Sequence, residues 1–169
     1  QVLDDTVTPM GGRLLRQWIS RPLLDVDAIN ERLDGVSSVY DNGVLRSRLR
    51  DNLRSFGDLE RLVNRAMGAI ASPRDMGIIR DVLKRLPALK RLLNEVQSET
   101  KCHALLELED RIDLAPEILD MLKHAIVDDP PANLHKPGSV RRGWSEELDH
   151  VVATSRSARD WIAGLEVSE

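Results

Sequence analysis

The chain reads as mainly α, an elongated multi-helix module, and three features of the sequence say so. Apolar residues recur three and four apart through most of its length, the repeat of a helix with one apolar face. Helix-starting residues stand before those stretches, at Thr8-Pro9, Asp25, Asp58, Ser72-Pro73 and Ser145. Leucine supplies 25 of the 169 residues, whereas Trp18, Tyr40, Phe56, Trp144 and Trp161 are the only aromatics, a balance that favours helix packing over a sheet.

The first helix opens at Thr8, with Pro9 at a position whose N–H has no helical partner in any case. Met10, Leu14, Leu15, Trp18 and Ile19 form its apolar face, and Pro22 stops it after Arg21. Gly11-Gly12 in its first turns costs ~1 kcal/mol per glycine relative to alanine. Close packing of a helix or loop against a backbone without Cβ atoms is the expected compensation. A second helix runs from Asp25 to about Asp41 with Ile29, Leu33, Val36 and Tyr40 on one face, and Asn42-Gly43 reads as its C-terminal cap. The third, Val44 to Arg54, places Leu45, Leu49 and Leu53 inside. Arg46, Arg50 and Arg54 stand outside as a solvated, salt-bridged stripe.

Asp58 caps a helix through Leu59, Leu62, Val63, Ala66, Met67 and Ile70. Ser72-Pro73-Arg74-Asp75 starts the next, which carries Met76, Ile79, Val82, Leu83 and Leu86. Pro87 is expected to kink or divide it from a short continuation through Leu89, Leu92, Leu93 and Val96. A polar loop is expected over 97–101, then two modest helices over Cys102–Glu109 and Pro116–Ile126. Five Pro and Gly residues break the pattern between Val127 and Trp144, where a small irregular or two-stranded excursion is expected near residues 130–143, with strands around 132–135 and 139–142. Ser145 then caps a long helix whose stripe contains Leu148, Val151, Val152, Ala158, Trp161, Ile162 and Leu165. Neither Gly nor Pro ends that helix before Glu169; its 25 residues make a rod of roughly 37 Å, and the expectation is that it leads on into a longer protein.

Charge narrows the partners. From Ser145 onward six acids face Arg156 and Arg159, so the whole net charge of −4 lies there, and the first 144 residues are neutral. Duplex binding rests on cationic contacts to phosphate, which makes this stretch a poor lone DNA grip. No apolar run is long enough to span a membrane, and the one cysteine, Cys102, forms no internal disulfide. A cytoplasmic setting is expected.

Catalytic arrangements are missing from the sequence. It contains no Gly-x-x-x-x-Gly-Lys-Ser/Thr, no Gly-x-Ser-x-Gly and no His-Glu-x-x-His, and His103, His124, His135 and His150 are scattered. Cys102-His103 are neighbours that point about 100° apart on a helix. Asp128-Asp129 and Lys136, Arg141 and Arg142 read as solvated loop residues. Glu107, Glu109, Asp110 and Asp113 form an acidic patch with no opposing acid that spacing reveals. Trp144 suits a hydrophobic staple and Trp161 a core or interhelical position. Catalytic, cofactor-binding and metal residues are therefore assigned as none.

An ordered set of motifs covers nearly the whole chain: Thr6-Val7-Thr8-Pro9-Met10-Gly11, then Arg13-Leu14-Leu15, Trp18 and Pro22-Leu23-x-Asp25; Gly57-Asp58-Leu59-Glu60-Arg61; Ser72-Pro73-Arg74-Asp75-Met76; Ala125 to Pro131; and Gly143 to Asp149. The set resembles the core domain of the MutS family of DNA mismatch-recognition ATPases. Two positions depart from its pattern: Gly12 stands where the family often has Ser, and Ser145 where it often has Asn or Asp.

The resemblance implies a core helical module over residues 1–144 and, over 145–169, the start of a long lever helix towards a clamp outside this chain. It implies a structural transducer, not an enzyme in itself, that couples DNA binding at the mismatch and clamp end to an ATPase domain elsewhere. For the intact protein it implies ATP and Mg2+ as cofactors, and mismatched duplex DNA, a second copy and a MutL-type protein as partners. The same module in a recombination paralogue, or an unrelated helical interaction scaffold, are the alternatives. Trp18 and Leu83 are both expected in the core.

Overall fold

The structure, a computed structural model, describes residues 3–100, 102–134 and 136–166, with side chains omitted at 159, 160 and 162–166. Those residues form α1 (Pro9–Ser20), α2 (Val26–Tyr40), α3 (Gly43–Arg54), α4 (Leu59–Met67), α5 (Pro73–Thr100), α6 (His103–Asp110), α7 (Pro116–Ala125) and α8 (Glu146–Glu166).

Most caps are those the sequence predicts. The Thr8 hydroxyl accepts from the Gly11 N–H at 3.0 Å, and the Asp25 carboxylate from Ala28 at 3.0 Å. At Ser72 the exchange is reciprocal: its hydroxyl accepts from the Asp75 N–H, and the Asp75 carboxylate accepts from the Ser72 N–H at 2.8 Å. The Gly11-Gly12 pair also has its compensation. A Cβ on Gly12 would stand 3.2 Å from the Thr6 hydroxyl and 3.4 Å from an Asp4 carboxylate oxygen, so the preceding loop is what packs there. The Asn42-Gly43 expectation is corrected. Asn42 starts α3, its side chain accepting from Leu45, and α2 ends on Asp41 in an ordinary right-handed conformation.

α5 is the spine. It continues through Pro87 without ending, and the loop expected over 97–101 is helical as far as Thr100; Lys101 lies outside the described residues. Packing explains why Pro87 does not divide it. The half before Pro87 joins α4 and α7 in a core of Leu62, Ile79, Leu83 and Leu122. The half after it joins α3 and α6 around Leu45, Leu49, Leu92, Val96, Cys102 and Leu105. Both halves are anchored by burial worth several kcal/mol, against the ~3 kcal/mol that an interior proline costs a helix.

Leu83 is buried as expected. Trp18 is not: it is 38% exposed, with the Arg32 guanidinium 3.6 Å above its ring. Ile29, Leu33, Val36 and Tyr40 of α2 are exposed too, as are Leu148, Val151, Val152 and Trp161 of α8, where Trp161 is 69% exposed. These stripes have the helical period but no neighbour among the described residues that covers them. Ile162 and Leu165 lie among the residues without described side chains.

The two-stranded expectation is also corrected. Residues 132–134 are irregular, His135 lies outside the described residues, and the one antiparallel bridge among the described residues joins Ile126 to Val140. The 139–141 segment pairs instead with the end of α7, where the backbone groups of Ala125 and Val127 have no helical partner.

Candidate coupling joint

Where α7 ends, its last carbonyls have no helical partner, because Ile126 turns to an extended conformation. Arg80, one turn into the apolar face of α5 between Met76 and Leu83, reaches across to supply donors. It is 2% exposed. Its Nη1 donates to the Val127 carbonyl at 2.8 Å and to that of Ile126 at 3.3 Å, Nη2 donates to the Asp128 carbonyl at 3.0 Å, and Nε donates to the Asp81 carboxylate at 3.1 Å. A rigid fork of five N–H donors suits this task, and a buried guanidinium demands such partners.

Five further contacts tighten the joint. Arg141 Nε donates to the Ile126 carbonyl at 2.9 Å while Nη2 meets Asp128 Oδ1 at 2.6 Å. Around the Ile126–Val140 bridge, the Val127 N–H donates to Ser139 at 3.2 Å and the Arg141 N–H to Ala125 at 2.8 Å. Pro130 is buried against α5 at Gly77, where a Cβ would come within 2.9 Å of the proline Cγ. Glycine is required there for the approach, whatever it costs the helix.

From this knot the chain passes directly into α8. Gly143 has φ +85°, a left-handed conformation suited to glycine. Its N–H donates to Asp149 Oδ2 at 2.7 Å, and Ser145 accepts from Leu148 at 3.2 Å, so the first turn of α8 is tied back to the loop that feeds it.

At the opposite end of the described chain an ionic clamp joins α1 to the start of α4. Arg13 meets both Asp58 oxygens at 2.7 Å and Glu60 Oε2 at 2.6 Å. Hydrogen bonding to Asp58 first, then to Glu60, raises the Arg13 pKa, and the Arg13 hydrogen bond pulls the Asp58 carboxyl down to about 2.

The residues singled out from sequence are placed as follows. Asp128 is an exposed loop acid as expected and pairs with Arg141, whereas Arg141 is half-buried and bonded to the Ile126 carbonyl, which corrects the reading of Arg141 as solvated. Asp129, Lys136 and Arg142 are exposed. In the arginine stripe Arg54 pairs with Asp51, Arg50 with Asp5, and Arg46 donates to the Tyr40 carbonyl. Cys102 points into the core, and His103 points out toward Glu31. Trp144 is half exposed. Arg80 escaped the sequence reading, although a charge standing in line with Met76 and Leu83 was its signal. The joint gathers hydrogen bonds and buried contacts, so what it does is fix geometry.

The family described as MutS domain III matches residues 1–165. The chain belongs to the MutS domain III family. Among its relatives, the DNA mismatch repair protein MutS of Salinibacter ruber is 44% identical over 168 residues, 99% of this chain and 18% of that protein. The protein of the same name from Brevibacillus brevis is 42% identical over 99% of the chain and 19% of its own length, and that from Methanothrix thermoacetophila 34% over 100% and 20%. This domain III chain thus spans about a fifth of the length of the curated relatives it matches. None of its described helices is long and apolar enough to cross a membrane.

Proposed function

We propose that this domain III chain is a mechanical coupling segment of a mismatch-repair protein, relaying changes between DNA-engaging regions and an ATP-hydrolysing region that lie outside these 169 residues. The Arg80 knot carries the reading. One buried side chain joins α5, on which both cores are built, to the segment that feeds α8. A displacement of α8 is then passed to α5 and not absorbed in a loop.

Coupling requires a stiff element with two arrangements that each site biases. α5 supplies the stiffness, and Pro87, which removes one helical hydrogen bond between the two cores, is where its halves are tied least tightly. In the same proposal the whole protein is a cytoplasmic DNA-dependent ATPase that takes ATP with Mg2+, binds mismatched duplex DNA, pairs with a second copy and engages a MutL-type partner. The relatives' name supports the mismatch-repair part of that reading, and residues 1–144 and 145–169 serve in it as core module and lever start.

The test uses the full-length protein. ATP hydrolysis is measured with and without mismatched duplex, and duplex affinity with and without ATP, for the parent, Arg80→Met and Arg80→Lys. Basal hydrolysis and basal DNA binding are expected to stay within about twofold, while stimulation by duplex falls by roughly fivefold or more, the span of typical coupling energies. A folded Arg80→Met or Arg80→Lys protein with undiminished mutual stimulation would refute the proposal.

A further inference from the structure

The acidic patch of α6 meets an opposing acid brought from 72 residues away. His103 Nδ1 lies 3.3 Å from an oxygen of Glu31 on α2 and 3.7 Å from an oxygen of Glu107, one turn along α6. One donor atom from each of the three lies within 4.8 Å of the other two. Small residues set this approach: a Cβ on Gly35, one turn from Glu31, would stand 3.6 Å from the Cβ of Ala104, next to His103.

Several carboxylates elsewhere in the molecule have a lysine or arginine partner. Asp58 and Glu60 share Arg13, Glu95 has Arg48, Asp75 has Arg65 and Glu109 has Lys90. Among the described residues the one basic side chain within 4 Å of Glu31 or Glu107 is His103 itself. The adjoining open groove, about 630 Å3, is lined by further acids, Asp27, Asp34 and Asp41. A divalent cation seated between these side chains would be the largest local charge and would balance the two carboxylates.

We propose that Glu31, His103 and Glu107 form a site for a divalent cation of the zinc class that pins α2 to α6. Zinc takes imidazole nitrogen and carboxylate oxygen at roughly 2.0–2.2 Å, and a tetrahedron of such bonds has edges of ~3.4 Å. The separations from His103 match that edge to within a few tenths of an ångström. Three protein ligands leave a fourth position for water. The nitrogen donor sets the site apart from those of Mg2+ and Ca2+, which take oxygen ligands.

The experiment titrates Zn2+ into chelator-treated full-length protein by calorimetry, comparing the parent with Glu31→Gln, His103→Gln and, as a control on another exposed histidine, His124→Gln. Co2+ absorption in the visible reports tetrahedral coordination. The parent and His124→Gln are expected to bind one equivalent more than Glu31→Gln or His103→Gln, and the Co2+ band is expected to vanish in those two variants. All three substitutions fall on exposed side chains, so the variants should fold. Equal stoichiometry in every protein overturns the proposal, as does a loss confined to His103→Gln, which means a lone surface histidine. A parent that takes up no zinc overturns it outright. None of these readings depends on whether the chain couples DNA to ATP.

Discussion

α5 and α8 are the two longest helices among the described residues, and both carry an apolar stripe of helical period. α5 buries Ile79, Val82, Leu83, Leu92 and Val96 and packs against α2, α3, α4, α6 and α7. α8 leaves Leu148, Val151, Val152 and Trp161 exposed. The period of a stripe therefore states that one face is apolar. Whether anything covers that face is decided by elements elsewhere in the chain, and α1 and α2 repeat the lesson with Trp18, Val36 and Tyr40.

The sharpest way to break the contrast is to remove what ties α5 to the entry of α8. Arg80→Met leaves the carbonyls of Val127 and Asp128 without their donor at a half-buried joint and should cost about 3 kcal/mol in urea unfolding of the 169-residue chain. A loss under about 1 kcal/mol would show that the joint does not hold the fold. Next comes the pair that compares the stripes themselves. Leu83→Ala should cost about 3 kcal/mol, whereas Val152→Ala should stay within about 0.5 kcal/mol in the same chain. A large cost for Val152→Ala in the full-length protein would reveal that other parts of the polypeptide cover α8.

Gly77→Ala sharpens the comparison by setting propensity against packing. Alanine gains ~1 kcal/mol as a helix former but meets Pro130 at 2.9 Å. Net destabilisation of about 1 kcal/mol is expected from overpacking, and a rise in melting temperature would mean that Pro130 moves freely. The smallest effect belongs to the exposed clamp at Asp58. Its carboxyl titrates at about 2 in the fold against an ordinary 3.8 because Arg13 hydrogen-bonds the charged form. The stabilisation is then present above the ordinary value and is lost as pH falls from 3.8 towards 2. Asp58→Asn should flatten the unfolding midpoint over that interval, and a parent profile already flat there would contradict the clamp.

Much of the fold was legible because helix caps are local. Thr8, Asp25, Asp58, Ser72 and Ser145 each receive a hydrogen bond from a backbone N–H three residues on, so residue type and position suffice to foresee it. Asn42 failed for an equally local reason: the same residue type ends one helix or begins the next, and a two-residue connection leaves both uses open. Division at Pro87 failed for a tertiary one, since two cores on either side hold the helix together against its own propensity.

The sequence by itself determined the helical class, most of the helix starts and, through its ordered motifs, membership of the MutS domain III family. Tertiary structure alone decided which stripes are covered, that Arg80 serves the carbonyls of residues 126–128, and that Glu31 faces His103. The reason is reach. A cap or a stripe is settled within a turn or two of helix, but Arg13 finds Asp58 across 45 residues, Arg80 finds Ile126 across 46 and Glu31 finds His103 across 72. No local spacing rule spans such separations.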